Sequence, residues 1–369
     1  MKHRITVLSL LFLLFLSGCS DYRRMDKLNI VAGIAVDKTE DGNGYALTLE
    51  VVNTALVSDE KSESSLYVES EGPTLFEALM NSKKRLYSKL YLGSAHTIVI
   101  SSEIATDDGL YSVIDVFLRN SEIRESVNLV ISQQETAREL IMVEGLDVKN
   151  VSYEIAEIVE EGQNVYSTAK KTNIYQAYSN LIVPGHEIVL PAFHLATNNE
   201  KPVVEINGAA VFNGDKLSEF LSPDDTQYFL IIDDNNSGGA FSFMMDNKQI
   251  SARIYKYKRK WDYNYADGKL TVPMDFSMDI SIAEVVGNSS ETLEMQRAAE
   301  LFLCGRLTQT LQHLQAMPNG DIIALGNHIY KTNNKLWQEI SDDWPQIFSS
   351  ADFQISTEIR IISTGIISA

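Results

Sequence analysis

Cysteine is almost missing from this chain, with two in 369 residues. One, Cys19, closes an N-terminal apolar run and the other, Cys304, sits in a helical apolar pattern as an expected core thiol, so no disulfide framework braces the body. Histidine is also sparse. His96, His186, His194, His313 and His328 share no metal-ligand spacing, and His3 belongs to the leader. A Gly-x-Ser-x-Gly elbow, a His-Glu-x-x-His pair, a phosphate-cradling glycine loop and a Cys-x-x-Cys pair are all lacking. Two acidic stretches fail as calcium loops, because Met244 and Thr48 stand where the closing bidentate glutamate belongs. No catalytic residue, cofactor or metal ligand is therefore expected. Positive charge is short as well: 31 Lys and Arg face 50 Asp and Glu, for a net charge of −19. Phosphate backbones require a basic surface, which excludes nucleic acid as a partner.

Long apolar runs are absent beyond the first residues. There Lys2, His3 and Arg4 form a positive head, Ile5 to Leu16 an apolar middle, and Leu16-Ser17-Gly18-Cys19 a small-residue exit. The run is too short to cross a hydrocarbon core of about 30 Å comfortably, and its three-part build fits a cleaved export signal. Cysteine directly after Leu-Ser-Gly is a bacterial lipobox, in which the thiol receives diacylglycerol and the chain is cut before it. Two acyl chains make such an anchor effectively permanent, at about 0.8 kcal/mol per buried CH₂. The expectation is a signal over 1–18, a lipidated tether over 19–27, and a folded body outside the cytoplasm.

The body is too long for a single core. Leu28–Asp37 and Tyr45–Val52 read as a hairpin about Glu40-Asp41-Gly42-Asn43-Gly44, with Thr54 to Ser65 as a loop. Helical spacing of Leu75, Leu79, Leu86 and Leu90 predicts a helix over 73–90 with Lys83, Lys84 and Arg85 between the leucines. Strands at 96–100 and 127–131 alternate with helices at 109–118 and 135–142. Thr197 to Pro202 is the best linker candidate, and a second β-rich region runs from Gly208 to Trp261. It ends in the basic-aromatic run Lys256–Trp261, read as a solvated strand face, alternatively a contact for lipid headgroups or an acidic partner. A helix over 291–314 carries Leu293, Ala298, Leu301, Leu307, Leu311 and Leu314 as one stripe. A period-two strand over 353–362 follows. The fold class is α+β, with three mixed domains at 28–198, 203–261 and 262–369.

These segments, in this order, resemble the Ger(x)C family, the C-subunits of spore germinant receptors. The resemblance begins with Gly18-Cys19-Ser20-Asp21 and Gly33-Ile34-Ala35-Val36-Asp37, and continues with Leu90-Tyr91-Leu92-Gly93 and Arg119-Asn120-Ser121-Glu122-Ile123-Arg124. It ends with Gly208-Ala209-Ala210-Val211-Phe212-Asn213-Gly214-Asp215-Lys216-Leu217 and with Trp337, Trp344 and Phe348 before the terminal strand. Ser20 replaces the family's tryptophan, Ser94 stands where histidine is common, and Asn120 replaces an aspartate.

The resemblance implies a binding subunit that works with two integral-membrane partners, an A and a B subunit, at the inner membrane of a dormant spore. It implies no catalysis. Cys19 is the lipidation site, and Arg119, Glu122 and Arg124 are candidates for a partner-facing charged patch, alternatively a structural salt-bridge cluster. Trp337, Trp344 and Phe348 are expected in the core. The rival reading, a solute-binding lipoprotein of a transporter, requires two doubly wound lobes around a ligand cleft.

Overall fold

The first body strand, β1 (Leu28–Lys38), sets the architecture, because it is apolar on both faces and so must be covered on both. The computed structural model describes residues 28–52, 65–146, 150–233, 238–286, 292–318 and 320–364; Cys19 and the expected Thr54–Ser65 loop, up to its last residue, lie outside them. Strand β1 pairs antiparallel with β2 (Tyr45–Val52), which pairs with β3 (Ser65–Gly72). Helix α1 (Leu75–Lys83) follows, N-capped by Thr74. It stops short of the expected end at Leu90, because Lys89–Tyr91 leaves the helix to form β4 in parallel with β1. Strand β5 (Thr97–Ser101) and helices α2 (Ser102–Asp107) and α3 (Leu110–Arg119) come next. Strand β6 (Asn128–Ser132) leads to α4 (Ala137–Ile141), α5 (Val151–Glu161) and α6 (Ile174–Ile182). Strands β7 (Val189–Asn198), β8 (Lys201–Asn213) and β9 (Lys216–Leu221) complete a sheet of order β3-β2-β1-β5-β6-β7-β8-β9, with β4 beside β1.

The centre of this sheet is parallel and its flanks are antiparallel. Successive side chains of a strand face opposite sides. Ile34, Ile98, Ile100 and Leu129 accordingly join α1, α2, α3 and α6 in one core, while Ala35, Val99 and Val130 join α4 and α5 in another.

Helix α7 (Pro223–Ile232) opens with a Ser222 cap and Pro223 in its first turn, and buries Tyr228 to Ile232 without interruption. It packs against both β8 and the next lobe, which explains why its apolar run resembles a strand in sequence. Strands β10 (Ala240–Met245), β11 (Lys248–Trp261), β12 (Asn264–Ala266) and β13 (Lys269–Val285) form a second, antiparallel sheet. Helices α8 (Thr292–Ala316), α9 (Leu325–Thr332), α10 (Asn334–Ile340) and α11 (Trp344–Ser349) cover one face of it. Strand β14 (Asp352–Ser363) closes the sheet in parallel with β13, and α8 shields its outer edge, where Glu300 accepts from the Ile359 amide at 3.0 Å. The result is an α+β chain whose second sheet lacks the strand–helix alternation of a doubly wound lobe.

Three further expectations change. Thr197–Pro202 is no linker but the β7–β8 hairpin, with Asn199 and Glu200 at positive φ. The two strands on either side of the expected 261/262 boundary, β11 and β13, pair along their lengths, so no break falls there. On α8 the buried stripe is Met295, Ala299, Leu303, Leu307, Leu311 and Leu314, whereas Leu293 and Leu301 are exposed. A 25-residue helix drifts against a fixed sheet, so its ends and middle do not share one apolar line. Cys304 is half-buried and free. Lys256, Lys258 and Lys260 do face solvent, while Tyr257 and Arg259 turn inward to the Ile231 and Ile232 carbonyls at the end of α7.

Gly33 shows how tightly α5 sits on β1. A Cβ there would lie 2.0 Å from Ser152 Oγ and 3.2 Å from the Thr97 carbonyl. We expect Gly33→Ala to cost about 1–3 kcal/mol by overpacking, and Ser152→Gly to recover part of that loss in the double variant. Urea midpoints decide the matter: equal stability of Gly33→Ala and the parent would show that the contact is not tight.

Candidate functional site

Two of the places where polar side chains gather carry residues that the resemblance singles out. The first is the rim where the body begins. Leu28, Asn29 and Ile30 pair with Lys89, Leu90 and Tyr91, and Asn29 Nδ2 donates to the Ser88 carbonyl at 2.7 Å. The loop after α3 folds over this junction because Asn120 Oδ1 accepts from the Glu122 amide and Ile123 is buried. Together they line a concave surface of about 510 Å³ that includes Leu28, Lys89, Tyr91, Glu122 and Arg124. Glu122 Oε1 is 2.9 Å from Lys89 Nζ, and Glu122 Oε2 is shut from solvent with no hydrogen-bond partner. Arg119 stands apart: it pairs with Asp115 one helical turn back at 2.8 Å and holds that carboxyl below its ordinary range. Of the three candidate patch residues, the fold gathers Glu122 and Arg124 and leaves Arg119 on the exposed end of α3.

The second place is the joint between the two lobes. The Pro184–Glu187 segment leaves α6 and docks on the start of α9, where Asn327 donates its amide to the Gly185 carbonyl at 2.8 Å. Gly185 has φ +68°, and a Cβ there would meet Gly326 at 2.6 Å, so the contact requires glycine. Asp321 is buried and accepts from the Leu325 and Gly326 amides at 2.9 and 2.7 Å and from Trp344 Nε1 at 3.0 Å. Burial pushes its carboxyl up to about 7, against the opposing pull of those three donors. Glu187 is also raised by burial, and it accepts from the Gly214 amide at 2.7 Å. Beside it, burial and nearby Lys170 depress His186 to about 4. A cavity of about 160 Å³ remains here, walled by Trp337, Trp344 and Phe348. These aromatics pack on one another, with ring centroids 5.4 and 6.1 Å apart, as core.

The remaining signature residues go to structure too. Asp37 accepts from the Ala137 and Arg138 amides at 2.6 and 3.0 Å, which caps α4, and burial raises it to about 6. The Asp215 carbonyl accepts from Leu110, and Lys216 donates to the Asp107 carbonyl, which ties the β8–β9 turn to α2 and α3. Sequence reading missed Asp321 and Glu50 as buried acceptors. Neither carries a signal of its own in sequence: Asp321 follows the Pro318-Asn319-Gly320 turn, and Glu50 is one residue of a strand. Among the described residues, no group of three or more His, Cys, Asp or Glu is placed to hold a metal.

Residues 21–195 match the model of the spore germination protein N-terminal domain, and residues 207–365 that of the spore germination B3/GerAC-like C-terminal domain. The chain belongs to the Ger(x)C family of germinant receptor C-subunits. Spore germination protein KC of Bacillus subtilis (strain 168) is 24% identical, with 99% of this chain and 96% of the relative aligned. Spore germination protein A3 of the same strain is 24% identical over 99% of both. Spore germination protein GerQC of Bacillus cereus is 20% identical over 98% of both. The crystal structure of the GerBC protein aligns with a TM-score of 0.57 at 18% identity, covering 89% of this chain and 97% of that one. The Ger(x)C signature residues are thus, in this chain, mostly caps, tight contacts and aromatic packing at the lobe joint.

Proposed function

We propose that this chain is a lipid-anchored, non-catalytic subunit of a spore germinant receptor. Diacylglycerol on Cys19 holds it at the outer face of the spore inner membrane, where it assembles with integral-membrane A and B subunits and permits nutrient-triggered germination. The observation that carries the reading is the family match across both halves of a chain whose leader ends in Leu-Ser-Gly-Cys. The buried carboxylates agree with it, since Asp37, Glu50 and Asp321 serve backbone amides. Mass spectrometry of the protein extracted from spore membranes in mild detergent tests both parts. The expected result is a diacylated N-terminus at Cys19 that Cys19→Ala abolishes, with polytopic A- and B-type subunits in the same fraction. An unmodified Cys19 would overturn the anchoring. Transporter permease and ATPase components in place of A- and B-type subunits would overturn the assembly.

A further inference from the structure

The residues 83–91 read Lys-Lys-Arg-Leu-Tyr-Ser-Lys-Leu-Tyr, with no carboxylate among them in a chain of net charge −19. Lys84, Arg85 and Lys89 are exposed, Tyr87 is fully exposed, and Tyr91 is 40% exposed. Among the described residues, Lys89 is the one of these cations with an ion pair, to Glu122. Arg85 donates to the Glu69 carbonyl, and Lys84 to Asn81. The stretch ends in β4, whose Lys89 is registered against Leu28, the residue at which the tether joins the body. Arg124 adds a further exposed cation on the same concave surface.

We infer that this rim is a docking face for anionic phospholipid, on which the body rests with Tyr87 and Tyr91 at headgroup level. The inference rests on the lipid anchoring proposed above. From Cys19 to Leu28 a fully extended tether reaches about 30 Å, so β4 cannot leave the neighbourhood of the bilayer. An acidic body is repelled by an anionic leaflet in every orientation except one that presents a basic face, and lysine and arginine near such a surface are attracted to it. Tyrosine, with an apolar ring and a polar tip, suits the same depth. The other exposed basic run does not compete. Lys256 and Lys260 stand across from Asp279 and Asp275 on the second sheet, and among the described residues no strand there is registered against the residue at which the tether joins the body.

The test separates docking from anchoring. The chain from Cys19 onward, carrying Cys19→Ser, is floated with vesicles of phosphatidylcholine alone or mixed with phosphatidylglycerol. Binding is expected only with the anionic lipid and is lost at high salt. Lys84→Gln/Arg85→Gln/Lys89→Gln weakens it on the order of a hundredfold, whereas Lys256→Gln/Lys258→Gln/Lys260→Gln, the same change of charge, leaves it nearly intact. Equal loss in the two triple variants, or none in the first, overturns the proposal. Amide hydrogen exchange of the unsubstituted body gives a readout independent of how the variants fold: anionic vesicles slow exchange across 84–92, and no slowing there overturns the proposal. Cross-linking of this stretch to a polypeptide with no vesicle binding would assign the rim to a protein partner instead. None of these outcomes depends on whether the cell lipidates Cys19, which mass spectrometry reads separately.

Discussion

Asp321→Leu is expected to remove about 3–5 kcal/mol of stability, read as a lowered urea midpoint. The carboxylate is the shared acceptor for the first amides of α9 and for the Trp344 indole. Leucine fills similar space but takes the acceptor away from all three donors. The docked Pro184–Glu187 segment rests on this same turn, through Glu187, whose amide faces the Asp321 carbonyl at 3.4 Å. Damage should therefore spread to both lobes and lower stability without a separate early transition. Asp321→Asn isolates the charge. In the folded chain the carboxyl keeps its proton up to about 7, against 3.8 ordinarily. Between those values the folded state binds the extra proton, so this group's contribution is fullest below about pH 4 and falls as pH rises to 7, by on the order of 3 kcal/mol. His186 acts in the opposite sense: held neutral down to about 4, it costs stability as pH drops below 6.5. Because parent and variant share His186, it cancels in their difference. The parent minus Asp321→Asn difference should shrink between pH 4 and 7, and parallel curves would refute the assignment.

Glu50→Ala carries a loss of similar size, about 3–5 kcal/mol. Glu50 is wholly buried on β2 and accepts from Ser65 Oγ at 2.7 Å, the Val151 amide at 3.0 Å and the Ser152 amide at 2.9 Å. It thereby joins the start of β3 to the first turn of α5, where a carboxylate also meets the positive end of the helix. Without it, α5 keeps its apolar contacts from Ile155 and Val159 but loses its cap. Amide exchange should accelerate across 151–161 well before the parallel strands β5 and β6 open. Uniform acceleration across the first lobe would mean that Glu50 supports the sheet and not the helix.

The hairpin of β1 and β2, helix α3, strands β5 and β6 and the closing strand were legible in sequence because each carries its own periodicity and turn residues. Helix α7 was not, since its second half, Tyr228 to Ile232, is buried all round, has no polar stripe and reads as a strand. The end of α1 was not, since Leu86 and Leu90 continue the helical spacing while pairing with β1 recruits Lys89–Tyr91. Nor was the β7–β8 turn: a polar stretch with proline fits a linker and a tight hairpin equally, and only the partner strand decides. At the candidate sites, Glu122 and Arg124 were found through the family-like segment Arg119–Arg124 that carries them. Asp321 and Glu187 escaped because their meeting depends on contact between segments far apart in the chain.

Strand β8 gives the seam between the two family halves a physical meaning. The N-terminal match stops at 195 and the C-terminal one starts at 207, yet both cuts fall inside the β7–β8 ladder. A fragment ending at 195 would bare the edge of a parallel sheet, and one beginning at 207 would carry β8 and β9 with no sheet to join. The two halves can be told apart as family matches, but they cannot be divided as objects.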